Sequence, residues 1–484
     1  MKIYTEDERI VAAMMNNVDY NSQEKSLLKR FIDMQFLPEP ENNYEYFRND
    51  KGIELILRAA CDQKCEYCYL NKYGHDLYPY QAKKEELLKN VDLILDYIYV
   101  QKRNFLYTVD FFGGDIFSDD LMFDIFALFD KYLDPILKTN PQLFDRQILF
   151  AIPNNLAWVY YHPEKVPVYR EWFYKFQEKY GIFISLSWST DGLYATDTRE
   201  KKAIDQNYYD VIFSFVVEFK YGFHPMIAAE NIANWCKNYD WWMDMYQKFD
   251  LKHPYYFQPY LLEVRNDNWT DENIEDYKKF LKHLMDWRLK MCDNDYNKLA
   301  HHLINGSEAE FKNSRGADPL RLLEDDQIAD GEGMGCSLQG LLHFDCNTLK
   351  IVPCHRLSYA QFVAGNLILN EEKTKIIDIE PHNVSAYITF ISHKTNNYPL
   401  CSYCEYRNVC LKGCLGAQFE KTGEVFLPIP SVCKLFQAKN DYLVELYHEY
   451  HIFENAIQND WYNQKRSRLN FMKERARDTY GYEC

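Results

Sequence analysis

The sequence predicts an α/β fold built on a parallel sheet or partial barrel, followed by a small cysteine-rich domain and a helical tail. Three observations predict it. Short apolar runs alternate with longer helix-period segments between residues 49 and 300. Eleven of the 14 cysteines fall into two groups, at 61–68 and 336–433. The last stretch, 436–484, is rich in Glu, Lys, Arg and Tyr at helical spacing.

Taken in order, residues 1–48 form a polar N-terminal extension with a short helical pattern in EKSLLKRFIDMQF. The strand candidates of 49–300 are IELILRAA, FLYTVDFF, RQILFAIP, IFISLSWS, the weaker FHPMIAAE, and YYFQPYLLEV. Helical patterns such as KKEELLKNVDLILDYIYV, KAIDQNYYDVIFSFVVEF and DENIEDYKKFLKHLMDWRL lie between them. Six strands each followed by a helix read as one parallel unit. Residues 301–335 lose the alternation and read as a linker. The cysteine-rich block occupies 336–435, and the helical tail 436–484.

Composition narrows the function. At about 150 residues per domain, 484 residues allow roughly three units. A net charge of −17 disfavours a general role on nucleic acid or anionic membrane, which need clustered Lys and Arg. With 18 Gly and 17 Pro against 31 Phe, 9 Trp and 40 Tyr, the chain is neither disordered nor fibrous. No apolar run is long enough to span a bilayer. The start, MKIYTEDERIV, lacks the basic and apolar regions of a secretory signal, so a soluble, cytoplasmic protein is expected. Clustered cysteines in a reducing compartment point to metal rather than disulfides. Cys236, Cys292 and Cys484 stand alone and read as inert or exposed thiols.

Cys61-Asp-Gln-Lys-Cys65-Glu-Tyr-Cys68 directly follows the first strand candidate, where parallel α/β folds place functional loops. Three thiolates at x3 and x2 spacing can hold a four-iron cluster and leave one iron open. A Cys3His zinc site with His75 as fourth ligand is the competing reading. The spacing, with Tyr67 before the third cysteine, resembles the signature of the radical S-adenosylmethionine (radical SAM) superfamily. Phe111-Phe112-Gly113-Gly114-Asp115 resembles the family's Gly-Gly-Glu motif, with Asp for Glu and Ile116 where a proline often stands. Ser189-Thr190-Asp191-Gly192, with Asp197 and Arg199 downstream, resembles its Ser-Leu-Asp-Gly segment, at a shorter Ser-to-Arg interval.

The second group, Cys401-x2-Cys404-x5-Cys410-x3-Cys414 and then Cys433, with Cys336 and Cys354 upstream and FVAGNLILNEE between, resembles the SPASM extension of radical SAM enzymes. Leu349 replaces a glycine usual in that pattern, and Cys346 is extra. Zinc knuckles are the alternative.

The resemblance covers about residues 52–435. It implies a partial (β/α)6 TIM-like barrel followed by a small iron–sulfur SPASM domain. It also implies three [4Fe–4S] clusters: one on Cys61, Cys65 and Cys68 that binds SAM, and two auxiliary ones. The first auxiliary cluster would use Cys336, Cys354 and Cys414, with Cys346 either its fourth ligand or a buried thiol. The second would use Cys401, Cys404, Cys410 and Cys433. Tyr67, Gly113, Gly114, Asp115, Ser189 and Arg199 would contact SAM. The implied reaction is reductive cleavage of SAM to a 5′-deoxyadenosyl radical, which takes hydrogen from a peptide or protein substrate.

A low-potential electron donor of flavodoxin or ferredoxin type is the implied partner. His355 stands where sulfatase-maturating relatives carry an aspartate base. It is either a base or a donor beside the cluster. That substitution favours maturation of a ribosomally made peptide, giving an oxidised or crosslinked product, over formylglycine formation. A zinc-stabilised scaffold without catalysis and a radical enzyme acting on a small molecule remain the other classes.

Overall fold

The computed structural model describes residues 47–49, 52–61, 63, 65–195, 204–251, 262–263, 268–305, 319–320, 341–384, 387, 390, 398, 400–406, 410, 413–456 and 477. Among these, a nine-stranded sheet forms the centre. Its parallel strands are β1 (Gly52–Arg58), β2 (Thr108–Gly113), β3 (Ile148–Asn154), β4 (Ile182–Trp188), β5 (Lys220–Phe223) and β6 (Leu341–Asp345). They lie in the order β6-β1-β2-β3-β4-β5. Three antiparallel strands, β7 (Lys350–Val352), β8 (Gly365–Leu369) and β9 (Ile376–Pro381), extend the sheet beyond β6. The cysteine-rich block is therefore joined edge to edge with the first strand of the barrel region. The described sheet is open, with β5 and β9 at its edges.

Helices separate the parallel strands: α1 (Tyr69–Leu77) and α2 (Lys84–Asp96) before β2, α3 (Leu121–Thr139) before β3, α4 (Val166–Tyr180) before β4 and α5 (Gln206–Val216) before β5. After β5 come α6 (Trp235–Lys248) and α7 (Asp271–Met291), then α8 (Leu415–Thr422) and α9 (Pro430–Glu449). Their ends follow local chemistry. Thr270 and Asn273 close a capping box at the start of α7, and α4 stops at Gly181, whose φ of 64° suits a residue without Cβ.

Alternation along the strands gives the sheet two unlike faces. Ile53, Leu55 and Leu57 of β1, with Val109 and Phe111 of β2, are buried in the main core with the helices. There Phe111 meets Phe126, Phe129 and Phe150 edge to face at 6.4, 5.7 and 5.4 Å, an arrangement that suits aromatic quadrupoles. Many of the described aromatic residues sit in this core. The opposite face carries Glu54, Asp110, Ala151 and Ser185 side by side across adjacent strands, three of the four polar.

Two strand expectations change. FHPMIAAE is not one strand: β5 ends at Phe223 and a two-residue strand, Met226–Ile227, follows. Pro225 between them has no N–H to give to a ladder. Of YYFQPYLLEV only Leu262–Glu263 is described, and it pairs with Met226–Ile227 outside the central sheet. The sixth parallel strand of that sheet is instead β6. No described helix is long and apolar enough to cross a membrane.

Candidate active site

The C-terminal ends of β1 to β4 gather most of the expected SAM-site residues. Cys61 follows β1, and Cys68 caps α1, with the Asn71 and Lys72 amides donating to its carbonyl. The turn between is tied by Cys68 N–H to Cys65 O at 3.1 Å and by the Asn71 side-chain amide to the same oxygen at 3.1 Å. Cys61, Cys65 and Cys68 are each partly exposed. The Asn155 amide, just past β3, points at Cys61 Sγ from 3.7 Å.

Gly113, Gly114 and Asp115 lie directly against this loop. Gly114 N–H donates to Arg58 O and Asp115 N–H to Ala60 O, at 2.8 and 2.9 Å. A Cβ on Gly114 would stand 2.3 Å from Ala60 O and 2.7 Å from Cys61 Cβ. The glycines are thus required by the packing of two loops, and what they seat beside the cysteines is Asp115. One Asp115 oxygen accepts the Phe117 amide at 3.2 Å. Ser189, at the end of β4, is held by its N–H to Asn154 O at 2.8 Å, and the Asn154 amide donates to Gly114 O at 3.2 Å. Arg199 and Cys336 lie outside the described residues.

Tyr67 is buried. Its hydroxyl donates to Asp191 Oδ2 at 2.8 Å, so the loop aromatic is engaged with the residue after Thr190. The zinc reading loses its fourth ligand: the His75 side chain is 97% exposed and lies against Asp76. Among the described residues no three Cys, His, Asp or Glu side chains converge on a single-ion position.

On the polar face, His355 Nδ1 meets the Glu54 carboxylate at 2.8 and 3.1 Å. The imidazole lies flat on Phe112, 4.0 Å between centroids and 6° between planes, with Tyr69 on the same stack at 6.1 Å. His343 Nε2 is 3.7 Å from Glu54, too long for a hydrogen bond, and neither of its ring nitrogens has a hydrogen-bond partner among the described residues. Burial lowers His343 to about 4, so it is neutral. Burial works against the Glu54 charge, but His355, which faces it and bonds to it, outweighs burial and leaves the carboxyl below the usual range. Asp110, beside Glu54 in the register, is pushed up to about 7 by burial and then by the Glu54 charge. Glu54 and Asp110 were not singled out in the sequence. The available signal was a lone acid within each apolar strand, IELIL and TVDFF.

Cys354 and Cys414, expected together in the first auxiliary set, are both partly exposed. Arg356, two residues after Cys354, makes a two-pronged pair with Glu420, at 2.8 and 2.5 Å, and lies 4.7 Å over the Tyr69 ring. Burial opposes the Arg356 charge, and its bond to Glu420 supports it and raises its pKa. Cys346 is different. It is wholly buried in the apolar core, its Sγ directed to Phe344 O at 3.7 Å, and burial raises its thiol well above the ordinary value. That is the surrounding of an inert thiol, so of the two readings open for Cys346 the structure favours the buried one.

Cys401 and Cys404 share one tight turn, and Cys433 lies in the first turns of α9. Burial pushes the Cys433 thiol up to about 12, and Cys410, Cys401 and Cys404 push it the same way. Cys401, Cys404 and Cys410 therefore lie close to Cys433.

No protein-family model matches the chain, and no curated protein matches it. Among solved structures it is similar to Streptococcus suis SuiB bound to S-adenosylmethionine, at 14% identity over 89% of this chain and 93% of that one, with a TM-score of 0.41. SuiB bound to precursor peptide SuiA gives 14% identity, 90% and 94% coverage and a TM-score of 0.42. At such identity and TM-score nothing about this chain's chemistry follows from the likeness.

Proposed function

We propose that the chain is a radical SAM enzyme that modifies a peptide or protein. One observation carries the reading: the Gly113–Asp115 loop is packed against the Cys61–Cys68 loop at the C-terminal edge of parallel strands. A three-thiolate donor set beside a carboxylate suits a cluster with one open iron and an amino-acid ammonium. When bound and reduced, such a cluster supplies the electron that cleaves SAM to methionine and a 5′-deoxyadenosyl radical.

The protein's own residues would do the rest. Asp115 would receive the methionine ammonium, and Ser189 and Arg199 its carboxylate. The polar face around Phe112 and His355 would receive the substrate residue. Glu54 holds His355 in one orientation, as a base or donor needs. Cys354 and Cys414 with Cys336, and Cys401, Cys404, Cys410 and Cys433, would hold two auxiliary clusters able to take the second electron of an oxidation. A ribosomally made precursor peptide is the proposed substrate and an oxidised or crosslinked product the outcome. A flavodoxin- or ferredoxin-type protein is the proposed reductant.

Metal analysis after anaerobic reconstitution tests the cofactor set. Three four-iron clusters give about 12 Fe per chain with equal sulfide. Saturation near 4 Fe would remove the auxiliary clusters from the proposal. A colourless, zinc-loaded protein would remove the whole reading.

A further inference from the structure

Asp191 is completely buried just beyond β4, and both of its carboxylate oxygens accept hydrogen bonds. Oδ2 takes the Tyr67 hydroxyl at 2.8 Å, and Oδ1 takes the Met226 N–H at 2.7 Å. Its backbone carbonyl takes Asn238 Nδ2 at 2.7 Å and Trp242 Nε1 at 3.2 Å, both from α6. The next residue, Gly192, has φ of +106°, and a Cβ there would stand 2.6 Å from Asn238 Oδ1 and 2.9 Å from Trp241. Asp191 is thus fixed by α6 and by the strand at Met226, whatever the cysteine loop does.

Tyr67 belongs to that loop, one residue before Cys68 and two after Cys65. Its ring forms a small separate cluster with Ala228, against which Cys65 and Met226 pack. The hydroxyl bond to Asp191 therefore joins a loop of partly exposed thiols to a rigid part of the fold.

We propose that Asp191 is a positioning residue for the cysteine loop, acting through the Tyr67 hydroxyl. It fixes the turn from Cys65 to Cys68 relative to the sheet, and so relative to Asp115, before any cluster is bound. A site held in place in advance does not spend binding free energy on ordering itself. The anchoring itself stands on these contacts alone; its consequence for SAM rests on the proposed function.

The test is Tyr67→Phe, which keeps the ring and removes only the hydroxyl. In the metal-free protein, amide exchange of the 65–72 segment should quicken about tenfold, while exchange in β4 and α6 stays unchanged. A tenfold change corresponds to about 1.4 kcal/mol, close to the lower end of the worth of a hydrogen bond to a charged group. After anaerobic reconstitution the variant should hold as much iron as the wild type. Its SAM dissociation constant, read from the SAM-induced change in the electron paramagnetic resonance of the reduced cluster, should rise about tenfold. Loop exchange equal to wild type would overturn the proposal. So would equal loosening of α6, which would make the bond a general fold contact. If the wild type itself gave no SAM-induced change, the proposed function would fail while the exchange data still decided the anchoring.

Discussion

Glu54 and His355, 301 residues apart in sequence, meet through a 2.8 Å contact between Oε1 and Nδ1. The pair exists because β6 joins the edge of β1, which brings the chain after β7 over the polar face of the barrel strands. Glu54 orients the ring that lies flat on Phe112. Glu54→Gln keeps the shape and removes the charge, a difference of about 1.5–3 kcal/mol for a charge-assisted bond. Peptide modification should fall about 10- to 100-fold while SAM cleavage continues uncoupled. The ratio of modified peptide to 5′-deoxyadenosine measures this, and an unchanged ratio would free His355 from any role in coupling.

Asp115→Ala should weaken SAM binding by about 10- to 100-fold, the worth of a carboxylate bonded to a charged amine. Iron content should be unchanged. Asp115→Glu should keep much of the affinity and Asp115→Asn should fall between. Equilibrium binding of SAM to the three reconstituted variants checks the order. Normal binding by Asp115→Ala would leave Gly113–Asp115 as a packing turn only.

Asp110 should give stability a pH slope. Its carboxyl titrates at about 7 in the fold, against about 3.9 in an unfolded chain. Between those values the folded state holds the extra proton, so the group's favourable contribution is complete below about pH 4 and lost as pH rises to about 7. Three units set an upper bound of about 4 kcal/mol, and partial exposure of Asp110 reduces it. Asp110→Asn should therefore be more stable relative to wild type at pH 8 than at pH 5. Urea unfolding at the two pH values reads the difference, and equal offsets would contradict the burial argument.

Much of the fold was legible because its signals are local. The alternation of Ile53, Leu55 and Leu57 marks a strand without reference to the rest of the chain, and the helical spacing of DENIEDYKKFLKHLMDWRL marks α7 in the same way. The loop of Cys61, Cys65 and Cys68 was legible by spacing. Leu349 is instructive: in the turn between β6 and β7 it adopts φ of 54°, a left-handed conformation that glycine takes more readily. What the sequence could not show is long-range. The pairing of Leu341–Asp345 with Gly52–Ile56, the Glu54–His355 contact and the Tyr67–Asp191 bond each need the sheet to be assembled first. Cys346 shares its composition signal with the cluster cysteines, and only its burial separates it.

The two cysteine groups should fail differently. Replacing Cys401 and Cys404 with Ala should leave some uncoupled SAM cleavage and abolish peptide modification, because those thiols lie with Cys410 and Cys433 rather than with the first loop. Assays of 5′-deoxyadenosine and of modified peptide, run side by side, separate the effects. Equal loss of both would make the second group a folding element.

The most direct measurement is 5′-deoxyadenosine formation by the anaerobically reconstituted wild-type protein, given SAM and dithionite, beside the variant with Cys61, Cys65 and Cys68 all replaced by Ala. The account predicts 5′-deoxyadenosine and methionine in equal amounts from the wild type and none from the variant. A wild-type protein that carries its clusters yet leaves SAM intact, or a triple variant that still cleaves it, would contradict the assignment of these three cysteines.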